Sequence, residues 1–293
     1  SVVVRECHGL DPWIDRLRSP NSGLCNVLEL PAWVADRHWR RADRTACTAG
    51  RERGGRNTTT LPSATPSGGA NSAAGSAAFH AETTVDLAVR SALAESETLE
   101  VWVIDDASTD ATARVAESCD DGSGRLRVIR QAANGGPSAA RNVALAATRA
   151  EWICVLDADD GFAPGRLGRL LAEADGAEMV ADAITRVSAF DGTATFHPQD
   201  TPQAASLWAT VSLADFIEGN VSRRGRHREE LGFIKPLMST VFLRRHRIEY
   251  APRLRLGEDF LLYAQVLAHG GRLRLGPPCG YIALTRPDSL SGR

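Results

Sequence analysis

Three short apolar runs constrain this chain most. Val101-Trp102-Val103-Ile104, Leu126-Arg127-Val128-Ile129 and Trp152-Ile153-Cys154-Val155-Leu156 recur about every 25 residues with helical patterns between them. Strands that alternate with helices are connected by right-handed crossovers and build a parallel sheet. The reading is therefore α/β. Residues 82–94 predict a helix with Val85, Val89, Ala92 and Leu93 on one face. A second helix is predicted over 109–116, with Ser108, Thr109 and Asp110 as capping candidates, and a third over 138–148.

The alternation begins only near residue 79. Between Arg40 and Ala78 the only residue drawn from Val, Ile, Leu, Met, Phe, Trp and Tyr is Leu61, so that stretch cannot build a core. Its polar, Gly- and Pro-rich run around residues 63–69 has the composition of a linker. The expected division is a low-complexity, disordered or irregular appendage over 1–78, read as a frame-disrupted region, and a folded domain over 79–293. Within that domain, 79–160 forms a ligand-binding half and 161–293 a second half.

A formal net charge of -2, from 34 basic and 36 acidic residues, argues against a nucleic-acid binder. No window of 18 apolar residues predicts a membrane span. The expected location is cytoplasmic, with peripheral contact at the inner face of the membrane through the basic run of residues 223–228 as an option. The 6 cysteines show no Cys-x-x-Cys pair, so reduced thiols are the default. Lys235 is the only lysine among many arginines, which composition alone assigns to coding bias.

The polar residues fall where parallel strands end, which is where open α/β sheets bind ligands. Asp105-Asp106 follows the first apolar run, Asn134-Gly135-Gly136-Pro137-Ser138 the second, and Asp157-Ala158-Asp159-Asp160 the third. Taken singly, these are a helix cap, a turn and an acidic turn. Together they suggest a nucleotide diphosphate site. Carboxylates crowded at one strand end repel one another unless a cation is present, and hard oxygen ligands favour Mn²⁺ or Mg²⁺. The Gly135-Gly136 loop allows close backbone approach and points amides at an anion, with Arg141 one turn into the helix that follows.

From residue 79 onward the chain resembles a family 2 glycosyltransferase of the GT-A fold, most like the bacterial transferases of succinoglycan and other exopolysaccharide assembly. The resemblance rests on Phe79-His80-Ala81-Glu82, residues 103–110, residues 134–142, residues 155–160, Gly257-Glu258-Asp259-Phe260 and residues 286–291, in that order. It implies a mostly parallel central sheet flanked by helices. It also implies a nucleotide-sugar site with Phe79, Glu82, Asp106, Gly135, Arg141, Asp157 and Arg286. Asp106 would read the base, and Asp157 and Asp159 would hold the metal. Asp259 would be the catalytic base and Glu258 its orienting partner.

The implied reaction is an inverting, metal-dependent transfer of a hexose from a nucleotide sugar, a UDP-hexose by preference. The acceptor would be a growing bacterial glycan or a lipid-linked saccharide. One departure stands out. The family's first strand falls on residues 72–78, where the sequence is Ser-Ala-Ala-Gly-Ser-Ala-Ala. Small side chains and Gly75 predict a weak or missing strand. Its loss would favour an alternative, a catalytically impaired pseudo-glycosyltransferase that only binds nucleotide sugar or glycan. A phosphohydrolase of the haloacid dehalogenase type also uses Asp-x-Asp after a strand, but it needs a nucleophilic Asp near the chain start and a downstream lysine in a different context.

Overall fold

In the computed structural model, residues 71–187, 208–222 and 230–284 are described. The first element is β1 (Ser72–Ala78), the segment whose composition argued against a strand. It lies inside the sheet, parallel to β2 (Thr98–Asp105) along all seven residues and to β4 (Trp152–Val155) along Ser72 to Gly75. A backbone ladder on both edges outweighs weak strand propensity, which depends strongly on context.

The small side chains are also what this position requires. A Cβ on Gly75 would sit 3.2 Å from the Ala144 Cβ and 3.6 Å from Ile153 Cδ1, because the Ala-rich helix α3 (Pro137–Ala147) packs directly against the strand. Thin residues on both surfaces let helix and sheet approach closely. The boundary expected at residue 79 therefore moves forward. The compact unit runs from Ala70 to Arg293, and β1 belongs to its core.

The other expected elements form with small shifts at their ends. Helix α1 (Val85–Leu93) buries Val85, Ala88, Val89, Ala92 and Leu93. Helix α2 (Thr112–Glu117) starts later than expected and has Ala111 at its N-cap. Asp110 instead accepts hydrogen bonds from the Thr112 amide and hydroxyl. β3 is Leu126–Arg130, parallel to β2. The registers Ala78 with Asp105 and Asp105 with Arg130 bring the carboxyl ends of β1, β2 and β3 to one edge.

Beyond β4 come β5 (Gly161–Phe162), α4 (Arg166–Ala172), β6 (Met179–Asp182), β7 (Thr185–Val187), β8 (Ala209–Val211) and α5 (Leu213–Gly219). The chain continues with β9 (Leu237–Ser239), α6 (Thr240–His246), α7 (Glu258–Ala268), β10 (Leu273–Gly276) and β11 (Tyr281–Leu284). Among the described residues the main sheet has the order β3-β2-β1-β4-β9-β6-β10-β8, and β5-β11-β7 form a smaller one. Antiparallel β9 sits between β4 and β6, so the sheet is mixed. Among the described residues no helix is long and apolar enough to cross a membrane. Cys119, Cys154 and Cys279 are free and buried.

Candidate active site

The loops after β1, β2 and β3 interlock at the carboxyl edge. Phe79 is 50% exposed and stacks on His80, with centroids 4.0 Å apart. The His80 amide donates to Ser108 Oγ, and Glu82 accepts from the Ala111 amide at 2.8 Å. Asp106 is 3% exposed. Its carboxylate accepts from the Gly135 and Gly136 amides, both at 2.7 Å, and from Gln131 Nε2 at 2.9 Å. The amides that the sequence aimed at a diphosphate thus close on Asp106, which shapes the glycine loop. Gly136 has φ +84°, and a Cβ there would lie 3.2 Å from the Arg255 guanidinium.

The rest of that motif holds the segment leading to α7. Ser138 Oγ donates to the Leu254 carbonyl at 2.8 Å. Asn142 exchanges two hydrogen bonds of 2.8 Å with the Tyr250 backbone. Gly257 is left-handed at φ +77°, and Glu258 and Asp259 form the acidic first turn of α7.

Arg141, from α3, is buried and reaches three carboxylates. Its Nη2 donates to Asp157 Oδ1 at 2.8 Å, and Nη1 donates to Glu258 Oε1 at 2.7 Å and Asp259 Oδ1 at 3.2 Å. Lys235 approaches the same two aspartates from the other side, at 2.6 Å from Asp259 Oδ2 and 3.1 Å from Asp157 Oδ2. Arg141, Asp157, Lys235 and Asp259 therefore form a closed ring of alternating charge. Burial alone would raise the Asp157 pKa, but the Lys235 and Arg141 charges hold it well below the usual carboxylate range. Burial likewise opposes the Lys235 charge, and Asp157 and Asp259 together more than reverse that.

Asp160 has the opposite balance. It is buried, accepts from the Tyr281 hydroxyl at 2.8 Å and the Leu284 amide at 3.0 Å, and is pushed up to about 7 by burial and by the charges of Asp157 and Asp159. The charges of Asp157 and Asp159 crowd Asp160, and carboxylate oxygens are hard donors of the kind that suits Mn²⁺ or Mg²⁺. Among the described residues no group of three or more metal-type side chains is gathered. The two motif carboxylates, Asp157 and Asp159, would hold such an ion together with ligand phosphates and water.

The structure brings Arg141 and Asp157 together with Glu258 and Asp259, the arginine and Asp259 being 118 positions apart. Phe79, Glu82, Asp106 and Gly135 line the neighbouring loops without joining that ring. Arg286 and the basic run 223–228 lie outside the described residues. Lys235 was missed; being the only lysine in the chain was a signal that composition explained away.

Comparison with known proteins decides the family. The profile described as Glycosyl transferase family 2 matches residues 77–245, more than half of the chain. The chain belongs to glycosyl transferase family 2. Within the family it is 50% identical over 215 residues to the succinoglycan biosynthesis protein ExoU of Rhizobium meliloti (strain 1021), covering 73% of this chain and 62% of that protein. It is 39% identical over 218 residues to ExoO of the same strain, covering 73% and 61%. The chain thus spans about three fifths of the length of these relatives.

Solved structures with similar folds include S. aureus TarS residues 1–349 in complex with UDP-GlcNAc. Its TM-score is 0.56 at 22% identity, covering 75% of this chain and 60% of that one. The mannosyltransferase PcManGT from Pyrobaculum calidifontis, in complex with GDP-Man and Mn²⁺, has a TM-score of 0.54 at 14% identity, covering 76% and 59%. The fold is GT-A, a mostly parallel central sheet flanked by helices.

Proposed function

We propose that the chain is an inverting glycosyltransferase that moves a hexose from a nucleotide-sugar donor, a UDP-hexose by preference, to a growing bacterial glycan or a lipid-linked saccharide. The observation that carries this reading is the charge ring. It ties Asp157 of the Asp-x-Asp turn to the Glu258-Asp259 pair at the carboxyl edge of the sheet. ExoU and ExoO, the curated relatives, are succinoglycan biosynthesis proteins, which favours an exopolysaccharide acceptor. TarS with UDP-GlcNAc and PcManGT with GDP-Man support a nucleotide-sugar donor.

In this reading Phe79, Glu82 and the loop that Asp106 and Gly135 shape receive the nucleoside, and the family resemblance assigns Arg286 to the phosphates. Asp157 and Asp159 would hold Mn²⁺ or Mg²⁺, which would supply charge compensation for the diphosphate. Asp259 takes the proton of the acceptor hydroxyl as that oxygen attacks the anomeric carbon, and Glu258 orients the acceptor. Arg141 spends its hydrogen bonds on Asp157, Glu258 and Asp259, so its part is to position the acids. The binding-module alternative depended on losing the strand at residues 72–78; with β1 in the sheet, nothing structural favours it.

The test is a thermal-shift panel of UDP-glucose, UDP-GlcNAc and GDP-mannose, each with and without Mn²⁺, followed by turnover. Asp159→Ala should lose the metal-dependent part of donor stabilisation. Asp259→Asn should bind donor and fail to transfer. Wild-type chain that none of the donors stabilises would sink the donor reading.

A further inference from the structure

The family resemblance gives Lys235 no role, yet the sheet delivers it to the centre of the site. β9 runs antiparallel to β4, and Leu237 pairs with Cys154. That register sets residue 235 opposite residue 156, one position before Asp157. The main chain is fixed from behind, because Arg166 Nη2 donates to the Lys235 carbonyl at 2.7 Å. The side chain is 7% exposed, and its ammonium meets two carboxylates, Asp157 and Asp259. Buried ion pairs are inefficient stabilisers, since desolvating each charge offsets most of the attraction. They serve well for holding reactive groups in a set geometry.

We propose that Lys235 is a positioning residue for the transfer, an inference that rests on the transferase reading above. It grips Asp259 Oδ2 at 2.6 Å and leaves Oδ1, which takes a longer 3.2 Å contact from Arg141, as the oxygen that accepts the proton. The acceptor oxygen forms its bond to the anomeric carbon while its proton passes to Asp259 Oδ1. The bond from that carbon to the diphosphate oxygen breaks, and the nucleoside diphosphate leaves with the electron pair. Lys235 exchanges no proton. By holding Asp157 Oδ2 and Asp259 Oδ2 on one ammonium, it sets the spacing between the donor-side carboxylate and the base.

The experiment measures Lys235→Met and Lys235→Ala beside wild type, using hydrolysis of UDP-glucose, UDP-GlcNAc and GDP-mannose with Mn²⁺ and folding checked by circular dichroism. Lys235→Met should lose about 100-fold in kcat while the donor KM stays within about threefold, since misplacing a reacting group costs on that order. Added ethylammonium should recover about tenfold of the lost kcat in Lys235→Ala, whereas neutral acetamide should not. Parallel loss of kcat and donor affinity without ethylammonium rescue would overturn the positioning role in favour of a structural one. Lys235→Met that turns over like wild type, beside an inactive Asp259→Asn, would overturn it alone. Wild type that hydrolyses none of the donors, or Asp259→Asn that stays active, would remove the reading on which it rests.

Discussion

The Arg166–Asp182 pair and the Arg141–Asp157–Lys235–Asp259 ring are both buried clusters of opposite charge. They share Lys235, whose carbonyl belongs to the first and whose ammonium belongs to the second. The pair is sealed, with both side chains at 0% exposure. Arg166 lies over the rings of Phe162 at 4.8 Å and Tyr281 at 5.1 Å, and it also donates to Cys154 Sγ. Asp182 receives the Cys279 and Tyr281 amides, both at 3.0 Å. The ring by contrast opens to solvent at Asp157, whose side chain is 32% exposed. A charge cluster with every polar atom met by protein serves as scaffold; one that keeps a wet edge is available to a ligand.

Substitutions separate the two roles. The largest effect is expected in the ring: Asp259→Asn should lower transfer by about 10²- to 10⁴-fold, the contribution of a general base. Donor-induced thermal shifts should be retained; an equal loss of donor binding would merge the ring with the scaffold. In the pair, Asp182→Ala leaves the buried Arg166 charge without its carboxylate and should cost about 3–5 kcal/mol, read by urea denaturation. Activity should fall only as folded protein is lost. A variant as stable as wild type would show that the pair is not scaffold.

Asp160 stands between the clusters through Tyr281, and it sharpens the comparison by pH. Its folded carboxyl titrates near 7 against an ordinary 3.8, so between those values the folded state holds a proton that the unfolded state releases. Stability from this group is therefore greatest at low pH and declines as pH rises through that window, on the order of 1 kcal/mol per unit. Asp160→Asn is neutral throughout, so its gain in Tm over wild type, measured in chelator, should be larger near pH 8 than near pH 5. A gain independent of pH would contradict the assignment. The smallest effect is expected away from both clusters. Gly75→Val should cost about 1–3 kcal/mol by pushing on Ala144, one turn along α3 from Arg141, while Gly75→Ala should cost less. Lower kcat in a well-folded Gly75→Val would show that helix spacing also tunes the ring.

Much of the architecture was legible in the sequence. Three apolar runs with helices between them fixed the parallel half of the sheet, and the resemblance named acids that the fold does bring together. β1 was misjudged because side-chain propensity says little about a strand paired on both edges and packed beneath an Ala-rich helix. Asp106 and the Gly135-Gly136 loop were recognised as neighbours, but not that the carboxylate would occupy the amides itself. Lys235 escaped notice because its meaning depends on β9 running antiparallel between β4 and β6.

The sequence by itself determined which segments become strands and helices and which strand ends carry polar residues, because periodicity and local turn chemistry act over a few residues. Only the tertiary structure decided that residues 72–78 join the centre of the sheet and that Arg141 and Lys235 close a ring with Asp157 and Asp259. Those outcomes depend on strand order, register and the distance between packed elements, which bring together residues about a hundred positions apart.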